Sequence, residues 1–246
     1  ALKIDRSKVL YMQNETLTKG QINDIKKCLN KRKKGFPIQY ILGEWEFYSL
    51  PFKVGRGVLI PRADSELLVD LAIDEIGHGD EKEVFDLCSG SGALGIAVAK
   101  ECSNASVTLV EKSRKAFDYL KQNVSLNKVT VRAERADIFK WKPKKKADLI
   151  ICNPPYIDIK EMTKLQKEVK NEPTVALYGG RDGLKFYRLL VLRCEELLNK
   201  GGRMIVEIGY RQAEKVSSLF EAAGFEQIEV YKDYGGNDRV VSGILK

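Results

Sequence analysis

Residues 84–111, VFDLCSGSGALGIAVAKECSNASVTLVE, decide the fold. The stretch opens on an apolar run, VFDLC (84–88), and breaks at a cluster of Ser and Gly. It then takes up helical spacing over 92–102 and closes on a second apolar run, SVTLVE (106–111). Strand, glycine turn, helix and strand in that order form a βαβ unit, whose strands must run parallel because a crossover joins them. The same alternation continues outward. Further strands are expected at 130–137 (TVRAERAD), 147–153 (ADLIICN), 203–209 (RMIVEIG), 225–231 (FEQIEVY) and 238–244 (DRVVSGI), with helices at 113–126, 183–198 and 211–223. Apolar strands alternating with amphipathic helices predict an α/β fold, a seven-stranded sheet covered on both faces. Only a short YGGN turn separates the last two strands, so they must form an antiparallel hairpin, leaving six of seven strands parallel.

Towards the N-terminus, 65–76 (SELLVDLAIDEI) has helical period. Residues 45–60 are extended, rich in aromatic and β-branched residues and broken by Pro51 and Gly55. Residues 16–34 form a helix opened by Thr16 or Thr18 and stopped by Gly35 and Pro37. The expected organisation is a small N-terminal helical lobe (1–36), an extended hairpin linker (37–62) and a main domain (63–246).

The 246 residues are 43% hydrophobic and 31% charged, which excludes global disorder. No run approaches the roughly 18–20 apolar residues of a membrane span. The opening ALKIDRSKVLYMQ is charged throughout and lacks a signal-peptide core, and it starts on Ala rather than Met; a cytoplasmic protein with a processed or trimmed start is expected. Five scattered cysteines without a CxxC spacing point to a reducing compartment and no disulfide framework or zinc site. His78, in GHGD, is the only histidine and reads as a surface-loop residue; no metal is expected. The net charge is +8, and residues 1–50 supply +5 of it, with ten Lys/Arg (Lys3, Arg6, Lys8, Lys19, Lys26, Lys27, Lys31, Arg32, Lys33, Lys34) against five acids. Such a lobe is either a solvated lysine-rich helix or a face for an anionic partner.

The turn after the first strand, Asp86-Leu87-Cys88-Ser89-Gly90-Ser91-Gly92-Ala93-Leu94-Gly95, contains G-x-G-x-x-G, and Glu111 follows Gly90 by 21 residues at the end of the next strand. That spacing suits an acid on a ribose diol, with Cys88, Ser89, Gly90, Ser91 and Gly92 bringing the backbone close to the ligand. Asp86 chooses among adenosyl cofactors: a carboxylate before the loop repels a pyrophosphate and attracts a cation. S-adenosylmethionine, with an ammonium group, a sulfonium and ribose hydroxyls, meets both demands. Asp137, at the end of the third strand, is placed to accept from an adenine amino group, with Ile138 against the ring.

Asn153-Pro154-Pro155-Tyr156 follows the apolar strand LIIC at the same sheet edge. Two prolines fix φ and remove two N–H donors. The Asn153 side-chain oxygen and the Pro154 carbonyl can accept both hydrogens of a planar –NH2 group. As its lone pair turns towards a methyl carbon, that nitrogen becomes tetrahedral and positive, and two fixed acceptors orient and stabilise it. Tyr156 is suited to stack on a planar acceptor.

At these residues the chain resembles class I S-adenosylmethionine-dependent methyltransferases, and specifically the HemK/PrmC family of protein-(glutamine-N5) methyltransferases. The family's Rossmann-like sheet, with seven strands and a final antiparallel hairpin, agrees with the strand count above. Its cofactor loop is similar to Asp86–Gly92, with Cys88 in place of its usual glycine; backbone contacts survive that change if φ stays negative. Glu111 matches the ribose-binding position, Asp137-Ile138 the adenine side and Asn153–Tyr156 the NPPY motif. The segments 39–70, 179–188 (GGRDGLKFYR) and 238–241 (DRVV) also resemble the family. Arg62 and Glu66 in the first either organise the linker around the cofactor or pair with each other. The resemblance implies methyl transfer from S-adenosylmethionine to the glutamine of a Gly-Gly-Gln loop in class I peptide chain release factors. The cofactor would run along Asp86–Gly92, Glu111 and Asp137, its methyl aimed at Asn153. Adenine-N6 methyltransferases of DNA or RNA share NPPY and are the alternative, so nucleic acid stays open as a partner. An NAD(P)-dependent oxidoreductase and a non-catalytic binding module leave NPPY without a purpose. Nothing demands a dimer, and a monomer is expected.

Overall fold

Alternation along each central strand builds two cores at once. Val84, Leu149, Ile151 and Ile205 pack on one face of the sheet, while Phe85, Leu87, Ile150, Cys152 and Val206 pack on the other. A strand apolar on both faces must be covered on both, which is why these read as continuous apolar runs. The computed structural model describes Tyr11 and residues 15–246. The N-terminal lobe expected over 1–36, with Lys3, Arg6 and Lys8 of its basic set, lies partly outside the described residues.

The seven-stranded sheet comprises β3 (Lys82–Leu87), β4 (Ala105–Glu111), β5 (Arg132–Arg135), β6 (Ala147–Cys152), β7 (Leu198–Glu207), β8 (Phe225–Lys232) and β9 (Asp238–Leu245), in the order β5-β4-β3-β6-β7-β9-β8. Pairing is parallel from β5 through β7, and β9 is antiparallel to both β7 and β8. Six strands thus share one direction and the chain closes on the expected hairpin. The order reverses between β3 and β6, the switch point at whose carboxyl edge open α/β sheets bind ligands.

Helices α3 (Glu66–Ile76), α4 (Ala93–Glu101) and α5 (Arg114–Asn127) cover one face; α7 (Lys185–Leu192), α8 (Cys194–Leu197) and α9 (Ala213–Ala222) cover the other. The short α6 (Ile159–Lys164) lies in the segment after NPPY. Three elements depart from expectation. β5 is four residues rather than eight: all four are exposed at the sheet edge, with no buried face to prolong the pairing. The helix expected over 183–198 is two helices, because Arg193 leaves helical geometry (φ −108°, ψ 7°) and donates to the carbonyls of Ile138 and Trp141. β7 then starts at Leu198, five residues early.

Upstream, α1 (Lys19–Lys33) is capped by Thr18 rather than Thr16, in a reciprocal box: Gln21 N donates to Thr18 Oγ1 at 3.2 Å and Thr18 N to Gln21 Oε1 at 2.9 Å. A five-residue helix, α2 (Ile38–Leu42), interrupts the expected extended linker, bracketed by Pro37 and by Gly43 at φ 83°. The hairpin of β1 (Glu44–Phe47) and β2 (Leu50–Lys53) follows. Asn123 of α5, fully buried, accepts from Lys53 N at 2.6 Å and donates to Ser91 O at 2.9 Å, fastening the hairpin to the glycine loop. His78 is in an exposed loop, and no described helix is long and apolar enough to cross a membrane.

Candidate active site

A cavity of about 450 Å³ opens at the carboxyl edge of β3, β4 and β6. Cys88, Ser89, Gly90, Ser91, Glu111, Asp137, Ile138, Asn153 and Pro155 line it. Of the residues expected there, Asp86, Gly92, Pro154 and Tyr156 stand outside its lining. Phe47, Pro61 and Arg62 from the linker, Ser65 just after it, and Pro173–Ala176 with Phe186 add to the wall.

The loop leaving β3 winds through three left-handed residues, Cys88 (φ 62°), Gly90 (φ 56°) and Gly92 (φ 82°). A negative φ at Cys88, the condition set above for a residue replacing glycine, is therefore not met. A left-handed non-glycine residue costs about 1–2 kcal/mol. Several bonds hold the turn: Ser89 N to Val110 O at 3.1 Å, Gly92 N to Ser89 O at 2.7 Å, and Ser89 Oγ to Asp86 O at 2.6 Å. Gly95 lets α4 lie directly on the sheet, since a Cβ there would meet the Leu109 side chain and stand 3.0 Å from Asp86 Oδ2.

Asp86 is fully buried behind this loop. Its Oδ2 accepts from Gly95 N at 3.0 Å, while Oδ1 has no partner. Burial pushes its carboxyl up to about 7, Glu111 adds in the same direction, and the Gly95 N–H opposes them. Glu111 accepts from Ser113 N at 2.6 Å and Gly90 N at 2.8 Å, so it fixes the loop from the next strand while facing the cavity. Burial raises its carboxyl too, against those N–H groups. Asp137 lies two residues past β5. Slight burial works upward there, but the Lys112 ammonium at 2.8 Å and the Phe139 N–H outweigh it and hold the carboxyl below its ordinary range.

The NPPY segment rests on close backbone packing. A Cβ at Gly179 would come within 2.6 Å of Pro155 O and of Tyr156 Cα, and one at Gly183 would strike Tyr156 O, which accounts for the glycines of GGRDG. Gln212 Nε2 donates to Tyr156 O at 3.1 Å. The Tyr156 hydroxyl donates to Glu207 Oε1 at 3.2 Å, holding the ring beside β7 rather than in the cavity wall.

Glu207, the last residue of β7 and 2% exposed, gathers the site. Its Oε2 accepts from Asn153 Nδ2 at 2.7 Å and Ser65 Oγ at 2.5 Å, and Asn153 Nδ2 also donates to Ser65 Oγ at 3.1 Å. The two acceptors lie only 2.5 Å from each other, so the Asn153 amide nitrogen shares its donation between them, and its oxygen is the acceptor it has to offer. Sequence reading singled out neither Ser65 nor Glu207. The available signal was an acid closing the apolar strand RMIVE, as Glu111 closes its own. Arg62 and Glu66 do not pair with each other: Arg62 bridges to the buried Glu172, which also accepts from Ile60 N at 3.0 Å, and Glu66 accepts from Tyr48 N at 2.8 Å. Arg239 of the DRVV segment donates twice to one oxygen, Asp233 Oδ2, from Nη2 at 2.8 Å and Nε at 3.1 Å.

Comparison with known proteins agrees with this architecture. Residues 63–180 match the family model of the methyltransferase small domain, and residues 1–43 that of the PrmC N-terminal domain. A release factor glutamine methyltransferase of Fusobacterium nucleatum is 43% identical over 244 residues, covering 98% of this chain and 69% of that protein. One of Thermodesulfovibrio yellowstonii is 40% identical over 244 residues, covering 98% of this chain and 87% of its own length. Among solved structures, M. jannaschii TYW2 in complex with AdoMet superposes with a TM-score of 0.54 at 20% identity, over 82% of this chain and 84% of that one, a likeness of fold. Identity of this level over nearly the whole chain establishes that it belongs to the release factor glutamine methyltransferase family.

Proposed function

We propose that this chain transfers a methyl group from S-adenosylmethionine to the side-chain amide nitrogen of the glutamine in the Gly-Gly-Gln loop of class I peptide chain release factors. One observation carries the reading. At the cavity wall Glu207 and Ser65 both accept from the Asn153 amide nitrogen, so it offers an oxygen to a planar –NH2 group.

The residues present fit the cofactor. Asp86 Oδ1 is a buried acceptor without a partner, which a cationic group relieves, and Glu111 faces the cavity with lone pairs left for hydroxyls. In this assignment the Cys88–Gly92 turn takes the amino-acid end and Glu111 the ribose, with Asp137 and Ile138 beside the base. When bound, S-adenosylmethionine supplies a methyl carbon made electrophilic by its sulfonium. The remaining work belongs to the chain. Asn153 Oδ1 and the Pro154 carbonyl accept the two hydrogens of the glutamine amide, turning its lone pair out of conjugation and stabilising the positive charge that develops on nitrogen; once that nitrogen carries the methyl group, its excess proton passes to solvent. Prolines at 154 and 155 keep those acceptors from relaxing towards water. The basic N-terminal lobe grips the release factor, and the enzyme works in the cytoplasm as a monomer.

Transfer from labelled S-adenosylmethionine tests this reading, with three acceptors: a purified class I release factor, the same factor with the Gly-Gly-Gln glutamine changed to alanine, and adenine-containing DNA and RNA. Label in the first alone is expected. Label in the nucleic acids and none in the release factor contradicts it.

A further inference from the structure

Glu207 lies outside the cavity lining, yet it organises the group at the centre of the transfer end. The parallel register Cys152↔Val206 between β6 and β7 places Asn153 and Glu207 side by side, one residue further along each strand. Glu207 accepts from every neighbour that reaches it. Ser65 Oγ at 2.5 Å and Asn153 Nδ2 at 2.7 Å approach Oε2, and the Tyr156 hydroxyl at 3.2 Å approaches Oε1. Ser65 commits its one hydrogen to Glu207 and accepts from Asn153 Nδ2 at 3.1 Å. Turning the Asn153 amide over would set its oxygen against a carboxylate oxygen and against a hydroxyl whose hydrogen is spent elsewhere. Only one orientation is satisfied.

The geometry points to Glu207 as a positioning residue for methyl transfer: its carboxylate fixes which end of the Asn153 amide faces the acceptor nitrogen and strengthens that end as an acceptor. The inference rests on the methyl-transfer reading given above. A negative charge at the amide's N–H end draws those hydrogens towards it and shifts electron density onto Oδ1. The gain is largest when the nitrogen bound by Oδ1 becomes positive, in the transition state rather than the ground state. Glu207 thus acts on kcat through Asn153, without touching substrate or cofactor.

Protonation reverses the arrangement, because a carboxylic acid donates. Facing Glu207 are Arg239 of β9, Asp64 and Ser65 ahead of α3, and Tyr156 after β6, while Tyr187 of α7 bonds its backbone carbonyl at 2.8 Å. Burial raises the carboxyl, with the Ser65 bond and the Arg239 charge opposing, so kcat falls on acidification above the ordinary carboxylate range.

The test is Glu207→Gln, which keeps the shape and lets Asn153 pair in either orientation. With release factor and cofactor saturating, kcat is expected to fall at least about tenfold. Cofactor affinity by calorimetry should stay within about twofold of wild type, and the acid limb of kcat should vanish. Glu207→Asp, which restores the charge, should exceed Glu207→Gln in rate. Wild-type kcat with an unchanged acid limb in Glu207→Gln overturns the proposal while leaving the methyl-transfer reading intact. A wild-type enzyme inactive on the release factor overturns both. If Glu207→Gln does not fold, Ser65→Ala removes the other acceptor of the Asn153 hydrogens; a several-fold loss of kcat at unchanged cofactor affinity supports the proposal, and an unaltered kcat sinks it.

Discussion

Two buried carboxylates flank the sheet switch point, Asp86 in β3 on one side and Glu207 at the end of β7 on the other, and they are satisfied in opposite ways. Asp86 has one oxygen bonded to the Gly95 N–H and one without a partner. Glu207 has both oxygens occupied, by Asn153, Ser65 and Tyr156. An unpartnered buried acceptor costs free energy until something binds it, so on the proposed reading the Asp86 end is the one that a bound cation would complete. The Glu207 end is complete already, and on the inference above its charge orients Asn153. On the proposed reading, one end should set affinity and the other rate.

The sharpest way to break that division is Asn153→Ala. Turnover should drop about 10²–10³-fold, the usual effect of removing one preorganised group facing developing charge. Cofactor affinity by calorimetry should barely move; equal losses in both would erase the distinction between the two ends.

Asp86→Asn comes next and should act on the other parameter. Cofactor affinity should fall about 10–100-fold with the charged bond, and kcat at saturating cofactor should change much less. The ligand-free protein should respond oppositely. The Asp86 carboxyl sits at about 7 in the fold against an ordinary 3.8, so the folded chain binds a proton that the unfolded chain has released. Its contribution to stability is whole below 3.8 and is lost as pH rises through about 7. Melting at pH 8 should therefore show Asp86→Asn more stable than wild type, a gain that disappears near pH 4. A variant less stable at pH 8 would mean that the unpartnered oxygen carries no strain.

The fold was largely legible because its strands are apolar on both faces and its turns are marked by glycine. The run LIIC (149–152) is short, apolar throughout and stopped by Pro154 and Pro155, which favours a buried strand, and YGGN forces the last two strands antiparallel. Where those cues lapse, the sequence reading strays. β5 is edge-exposed and charged, so nothing in RAER marks where its pairing stops. The break at Arg193 comes from bonds to carbonyls more than fifty residues upstream, invisible to helical periodicity. The site divides the same way. The glycine loop, Glu111 and Asn153 announce themselves by local motif. Glu207 and Ser65 meet Asn153 only because β7 lies beside β6, and strand order is not a local property.

The smallest expected effect belongs to the loop itself. Cys88→Gly removes a side chain from a left-handed position (φ 62°) and should stabilise the ligand-free protein by up to about 1 kcal/mol in urea unfolding, the relief of strain being partly offset by glycine's entropy. A clear loss of stability would show that the thiol's packing outweighs the strain. Neither outcome should touch kcat, since Cys88 is on the affinity side of the comparison.

The most direct test of the central claim is mass spectrometry of a class I release factor incubated with S-adenosylmethionine and either wild-type enzyme or Asn153→Ala. The account predicts one added methyl group on the Gly-Gly-Gln glutamine with wild type and almost none with the variant. A methyl group on another residue, or full modification by Asn153→Ala, would contradict it.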